Sequence, residues 1–188
     1  DTWKRTADNF WAKWNFPNCI GVLDGKHVVI EAPANSGSQY YNYKKTFSID
    51  VGGYGKSSAG GIFANYALGL RLEAGTLDVP EDRELPGSEL TTSHVIVADE
   101  AFPLKTYLLR SYPGAELTHD KWIFNYRLTR ARRTVENTFG ILAQKFRVYQ
   151  RWLRANPQNA DKIILSPASC TILSATCSRN RPTWRPEH

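Results

Sequence analysis

His94-Val95-Ile96-Val97-Ala98-Asp99 is a short apolar run that ends in a carboxylate. Four apolar residues with no alternation suit a strand buried on both faces, as the strands of parallel sheets are. A carboxylate at the C-terminal end of such a strand stands where open α/β sheets place their ligands. Asp99 is therefore a candidate site residue, and the fold class suggested is α/β.

Upstream, CIGVLDGKHVVIEA at 19–32 reads as strand, turn at Asp24-Gly25, and strand, closed by Pro33. The dipeptide alone is a hairpin turn. A carboxylate ending a second apolar run also makes Asp24 a candidate metal ligand, with Lys26 or His27 near phosphate. The polar stretch at 34–45 ends Tyr40-Tyr41-Asn42-Tyr43-Lys44-Lys45. Such rings either stack on bases beside phosphate-binding lysines or cover a sheet edge. A strand is expected over 46–51. The Gly/Ser loop at 52–61 lacks the spacing of a phosphate-cradling P-loop. A helix over 62–72, capped by Ser58, follows it. The Pro- and acid-rich stretch at 76–92 reads as a solvated loop. Pro103 and Pro113 bracket an expected short helix.

Before all of this, Trp3, Ala7, Phe10, Trp11 and Trp14 mark the buried side of a helix that Phe16-Pro17-Asn18 stops. Downstream lies KWIFNYRLTRARRTVENTFGILAQKFRVYQRWLR, residues 121–154. Leu128, Ala131, Val135, Phe139, Leu142, Phe146 and Tyr149 recur at three- and four-residue steps, one stripe of a long helix. This window holds nine Lys or Arg and one acid, Glu136, so it carries +8 while the whole chain carries +6. Arg132 and Glu136 could form an i,i+4 pair. A face stabilised by ion pairs would alternate its signs, however, and this imbalance suits nucleic-acid phosphate. The lone acid then fits metal ligation at a phosphodiester.

The chain has 188 residues, 41% of them hydrophobic, enough for one domain with a full core. Three widely spaced cysteines form no zinc spacing and suit a reducing compartment. No apolar run is long enough to span a membrane. Methionine is absent, so a preceding segment is expected.

The chain resembles the Harbinger superfamily of transposases and transposase-derived nucleases. The matching pieces are FPNCIGVLDGKH at 16–27, YYNYKKTFSI at 40–49, DVGGYGKSSAGGIFAN at 50–65, VIVADEAFPL at 95–104 and FNYRLTRARRTVENTFGILAQKFR at 124–147. The resemblance implies a ribonuclease H-like mixed sheet flanked by helices, in a DDE-type catalytic domain over 19–165. Residues 1–18 would lead into it, and 166–188 would form an irregular tail. It implies Asp24, Asp99 and Glu136 as catalytic metal ligands for Mg2+ or Mn2+, cutting or joining DNA phosphodiesters by a two-metal mechanism. DNA contacts are expected from Lys26, His27, Lys44 and Lys45, and from Arg130, Arg132, Arg133, Lys145 and Arg147 on the basic helix. A nuclear location, a separate DNA-binding protein and homo-oligomers are the expected setting. Three departures stand out. Ala59 follows Ser58 where the family carries a metal-binding Asp, leaving a vacant ligand position that impairs activity. Ala143 replaces a basic residue. The junction of Ile49 and Asp50 lacks a strand and turn, so the sheet is expected to miss one strand. Beside the nuclease stands a different class: a catalytically dead DNA- or protein-binding module that keeps the basic helix.

Overall fold

The structure, a computed structural model, describes residues 2–42, 44–50, 53–54, 67–156, 159–160 and 162–164. Contacts divide the chain into two units, Asp1–Lys26 with Ser57–Phe139 and His27–Lys56 with Gly140–His188.

In the first unit β1 (Cys19–Val22), β7 (Val95–Val97) and β8 (Leu108–Leu109) form a parallel sheet in the order β1-β7-β8. All three residues of β7 are buried, as the unalternating run anticipates. Ile96 packs with Ala7 of α1 (Thr2–Trp14), Leu72 of α2 (Ala67–Glu73), Phe102 and Leu108. Val95 and Val97 pack instead with Phe10 and Phe16, and with Leu128 and Ala131 of α3 (His119–Lys145). Alternate residues of one strand thus feed two apolar clusters. α1 ends as expected. Asn15 takes a left-handed φ of 52° while its N–H still reaches the Trp11 carbonyl at 2.9 Å, and Pro17 follows.

The segment between Pro103 and Pro113 corrects the sequence reading. It holds β8 and no helix, with Leu108 fully buried beside Ile96. Ile96 N–H donates to Tyr107 O and Ala98 N–H to Leu109 O, both at 2.8 Å. So short a helix would gain few hydrogen bonds for the cost of its nucleation, whereas β7 offers an open edge. The acidic loop is also more ordered than expected. It contains a short hairpin of β5 (Arg83–Glu84) and β6 (Thr91–Thr92), tied to the β1 entrance by Asn18. The Asn18 amide donates to Arg83 O, Thr92 O and Thr92 Oγ1 at 2.9–3.1 Å.

The second unit is built on an antiparallel sheet, β2 (His27–Val29), β3 (Ser48–Asp50) and β4 (Gly53–Tyr54). β1 therefore pairs with β7 and β2 with β3, so the strands flanking Asp24-Gly25 are not partners in one hairpin. The Ile49–Asp50 junction, where a strand was expected to be lost, lies inside β3, which pairs onward with β4. Val28, Ile30, Tyr40 and Ile49 form this unit's core with Ala160 and Ile164.

α3 stops at Lys145, short of the expected stripe. Phe146 is extended (φ −125°, ψ 108°), and a 3-10 turn follows over Arg147–Tyr149. Pairing explains the stop. Leu153 N–H donates to Val29 O at 3.0 Å and Glu31 N–H to Leu153 O at 3.2 Å, so the chain is drawn out alongside β2. Tertiary pairing here overrides helical propensity. The architecture is mixed α/β, a small parallel sheet and antiparallel strands with flanking helices, consistent with a ribonuclease H-like fold. Ser58, Ala59 and the tail 166–188 lie outside the described residues.

Candidate active site

Register carries two of the expected acids to neighbouring positions. Val22 of β1 pairs with Val97 of β7, and Leu23 N–H extends the ladder to Val97 O at 2.7 Å. Asp24 and Asp99 each lie two residues past those paired valines, at the C-terminal ends of adjacent parallel strands. Asp99 Oδ1 accepts the Ala101 N–H at 3.0 Å, which tightens the turn after β7. Arg110 holds the same turn, donating from Nη1 to Glu100 O at 3.1 Å and Phe102 O at 3.2 Å.

Asp24 Oδ1 accepts the Gly25 N–H at 3.1 Å and the Arg132 guanidinium, through Nη2, at 3.2 Å. The ion pair is sheltered, with the Arg132 and Asp24 side chains 21% and 14% exposed. α3 places Arg132 there because Leu128 and Ala131, both fully buried, fix the helix's rotation against the sheet. Burial raises the pKa of Asp24. Arg132 opposes that shift, and the charge of Asp99 adds to it. Arg132 Nε is buried with no acceptor among the described residues.

Glu136 follows one turn after Arg132 on the same flank of α3 and is exposed. Arg132 thus pairs with Asp24, 108 residues away in sequence, and not with Glu136 as the i,i+4 spacing suggested. Asp24 and Asp99 interact electrostatically, but among the described residues no three His, Cys, Asp or Glu side chains form a metal-sized group. The donor set nonetheless suits a hard cation: two carboxylates at adjacent strand ends, one with its proton affinity raised by burial and further by the charge of the other.

The expected DNA contacts fall in several places. Lys26 is half-buried just past Asp24. His27 lies in β2, its Nδ1 3.3 Å from Ser48 Oγ. Lys44 and Lys45 are exposed in a turn built on buried Asn42, whose Oδ1 accepts from Lys44 N–H, Thr46 N–H and Thr46 Oγ1. Tyr40 is buried in the core there, and Tyr41 meets Phe47 edge-on at 5.3 Å. On α3, Arg130 is half-buried and Arg133 exposed; Lys145 at its end and Arg147 beyond it are exposed.

Two features escaped the sequence reading. A cavity of about 520 Å3 is lined by Asn18, Val95, Thr106, Ile123, Phe124 and Arg127 among others. Asn18 and Val95 mark the N-terminal ends of β1 and β7, and neither Asp24 nor Asp99 lines this cavity. The second is a row of outward-facing rings on α3, Trp122 and Tyr126; their i,i+4 spacing was the available signal.

The DDE superfamily endonuclease family matches residues 23–173, a span that holds both aspartates, Arg132 and Glu136. The chain belongs to that family. The chain is similar to Protein ALP1-like of Arabidopsis thaliana, 24% identical over 174 residues. That match covers 78% of this chain and 41% of the plant protein, so the chain spans less than half the length of that relative. No solved structure matches the chain. Among the described residues, no helix of this DDE endonuclease domain is long and apolar enough to cross a membrane.

Proposed function

We propose that this domain is a divalent-metal-dependent DNA nuclease or transposase-type catalytic domain, weakened in this chain by Ala59. The observation carrying the reading is the placement of Asp24 and Asp99 at matched positions on adjacent parallel strands beside a cationic helix. Asp24 and Asp99 would hold the cation, with Glu136 the third carboxylate that the resemblance implies. Mg2+ or Mn2+ bound there would supply Lewis-acid activation of a water or 3′-hydroxyl and relieve charge on the leaving oxygen. Arg132 offsets part of the charge of Asp24 through their 3.2 Å ion pair. Arg130, Arg133, Lys145 and Arg147, with Lys26, His27, Lys44 and Lys45, would meet phosphates, fixing DNA position without reading sequence. Ala59 offers a methyl where a carboxylate is expected, and a methyl cannot ligate a hard cation. Action on DNA implies a nuclear setting. Assembly with a separate DNA-binding protein and with further copies belongs to the same proposal.

Nicking of supercoiled plasmid with Mg2+ or Mn2+ tests this. Weak activity in the wild type should rise in Ala59→Asp and vanish when Asp99→Asn is added. An Ala59→Asp protein that folds and still does not nick would defeat the reading.

One observation favours a second reading, a DNA-binding module without catalysis: Asp24 already has a resident counter-ion in Arg132. That module would bind DNA with strong salt dependence, and binding would survive Glu136→Ala. Loss of binding in that variant would count against it.

A further inference from the structure

Four groups on the first unit stack in order: Trp14, Arg130, Tyr126 and Trp122. The Arg130 guanidinium carbon lies 5.6 Å from the ring centres of both Trp14 and Tyr126. Tyr126 and Trp122 are stacked with centroids 5.5 Å apart and ring planes within 5°. Trp14 anchors the inner end, packed against the cluster that contains Leu128 and Ala131. The outer end is open, with Trp122 56% and Tyr126 51% exposed. Beside it, Lys121 sits 5.2 Å over the ring of Tyr112, which is 45% exposed. The Asn125 side chain fixes Tyr112 by bonds to its N–H and C=O at 2.8 and 3.0 Å.

Exposed rings in this number are unusual on a helix whose buried face is already occupied by Leu128 and Ala131. Their charge surroundings indicate the occupant. From Lys121 to Val135 the helix has five Lys or Arg and no acid. We propose that the outer end of this stack, Trp122 and Tyr126, seats unpaired bases of a DNA strand whose phosphates run along the cations of α3. A flat ring continues a stack only with another flat face, which paired bases inside a duplex do not offer. The cations supply the attraction every nucleotide carries, so no particular base sequence is needed. The stack is also pre-formed, its inner end anchored by Arg130 between Trp14 and Tyr126, so less side-chain freedom remains to be lost on binding. The proposal rests on the nuclease reading only in taking DNA as the partner, and it adds that the DNA is unpaired at this helix.

The test uses labelled oligothymidylate, a blunt duplex, and the same duplex with a single-stranded overhang, compared by fluorescence anisotropy. Trp122→Ala and Tyr126→Ala, both at exposed positions, should weaken oligothymidylate and overhang binding about tenfold. Blunt-duplex binding should change less than about twofold, since phosphate contacts persist. Trp122→Phe keeps a ring and should restore most of the affinity, while losing the part of the tryptophan quenching that oligothymidylate causes in the wild type. Equal losses on all three probes would overturn the proposal, as would no loss on any. A dimer seen in sedimentation that disappears in Trp122→Ala, with DNA binding intact, would assign the rings to a second copy and also overturn it. Failure to nick plasmid with the oligothymidylate effect intact would refute catalysis alone. Nicking without discrimination between single-stranded and duplex probes would refute this seat alone.

Discussion

Arg132→Met is expected to destabilise the protein, Asp24→Asn to stabilise it, and the double variant to reveal their coupling. The pair is 3.2 Å apart with side chains 21% and 14% exposed. At an effective dielectric constant near 20 the gross attraction is about 5 kcal/mol, most of it offset by removing both charges from water. Exposed pairs couple by roughly 0.2–1 kcal/mol, and breaking fully buried ones costs roughly 3–5 kcal/mol. This pair falls between, so a coupling of about 1–2 kcal/mol is expected, and Arg132→Met should cost about 2 kcal/mol. For a chain of this size that lowers Tm by about 4–8 °C. The sign for Asp24→Asn follows from its raised pKa, which means folding favours the protonated side chain. The unfavourable contribution of the ionised form is present above the folded-state pKa, fades as pH falls through it, and is gone below the unfolded-chain value near ~4. An amide removes it, so stability should rise at pH 7. Urea melts of the four proteins at pH 7 supply the double-mutant cycle. Strictly additive single effects, or a destabilised Asp24→Asn, would refute the reasoning.

Other expectations concern the core and its titratable groups. Leu128 is fully buried between α3 and the sheet, so Leu128→Ala should lose about 2–5 kcal/mol in urea melts, against under about 0.5 kcal/mol for exposed Thr129→Ala. Burial lowers the pKa of His94, so the folded state resists its protonation. Stability should hold above about pH 6.5 and fall as pH drops below it, and His94→Leu should flatten that slope; a variant that keeps the slope assigns it elsewhere. Burial pushes the Cys19 thiol up to about 12. Peptide mapping should therefore find Cys19 unlabelled by iodoacetamide at pH 8 in the native protein and labelled after denaturation. Native labelling at the unfolded rate would contradict its burial.

Asp24 and Asp99 were legible because each closes an apolar run, and strand ends are where an open sheet can expose a carboxylate. Their proximity followed only from the family resemblance and not from the residues themselves, since it depends on which strands pair. Sequence adjacency suggested a β1–β2 hairpin, whereas β1 took β7 as its parallel neighbour. Arg132 shows the same limit. Helical spacing can nominate only Glu136, while its actual partner comes from 108 residues away. β8 was hidden by its brevity, because two residues between prolines show no period and only the free edge of β7 gives them a structure. The tyrosines at 40–41 looked like a stacking strip, but Tyr40 is core because Asn42 folds the chain back around it. Glu136 lay within reach of sequence reading as a helical acid. Its distance from the aspartates was beyond any periodicity.

The irregularity in β1 has an effect on how this lineage can lose its chemistry. Cys19 stands opposite Val95, yet Gly21, not Ile20, stands opposite Ile96, so one surplus residue is absorbed there. Counted without that surplus, Leu23 would draw level with Asp99, and Asp24 would overshoot. A single-codon deletion at Ile20 would only remove the surplus and keep the carboxylates level, whereas one at Val22 would set Asp24 against Ala98 and misalign them while leaving enough pairing for the sheet to form. Catalytic competence in such a chain can vanish by one indel long before the scaffold gives way.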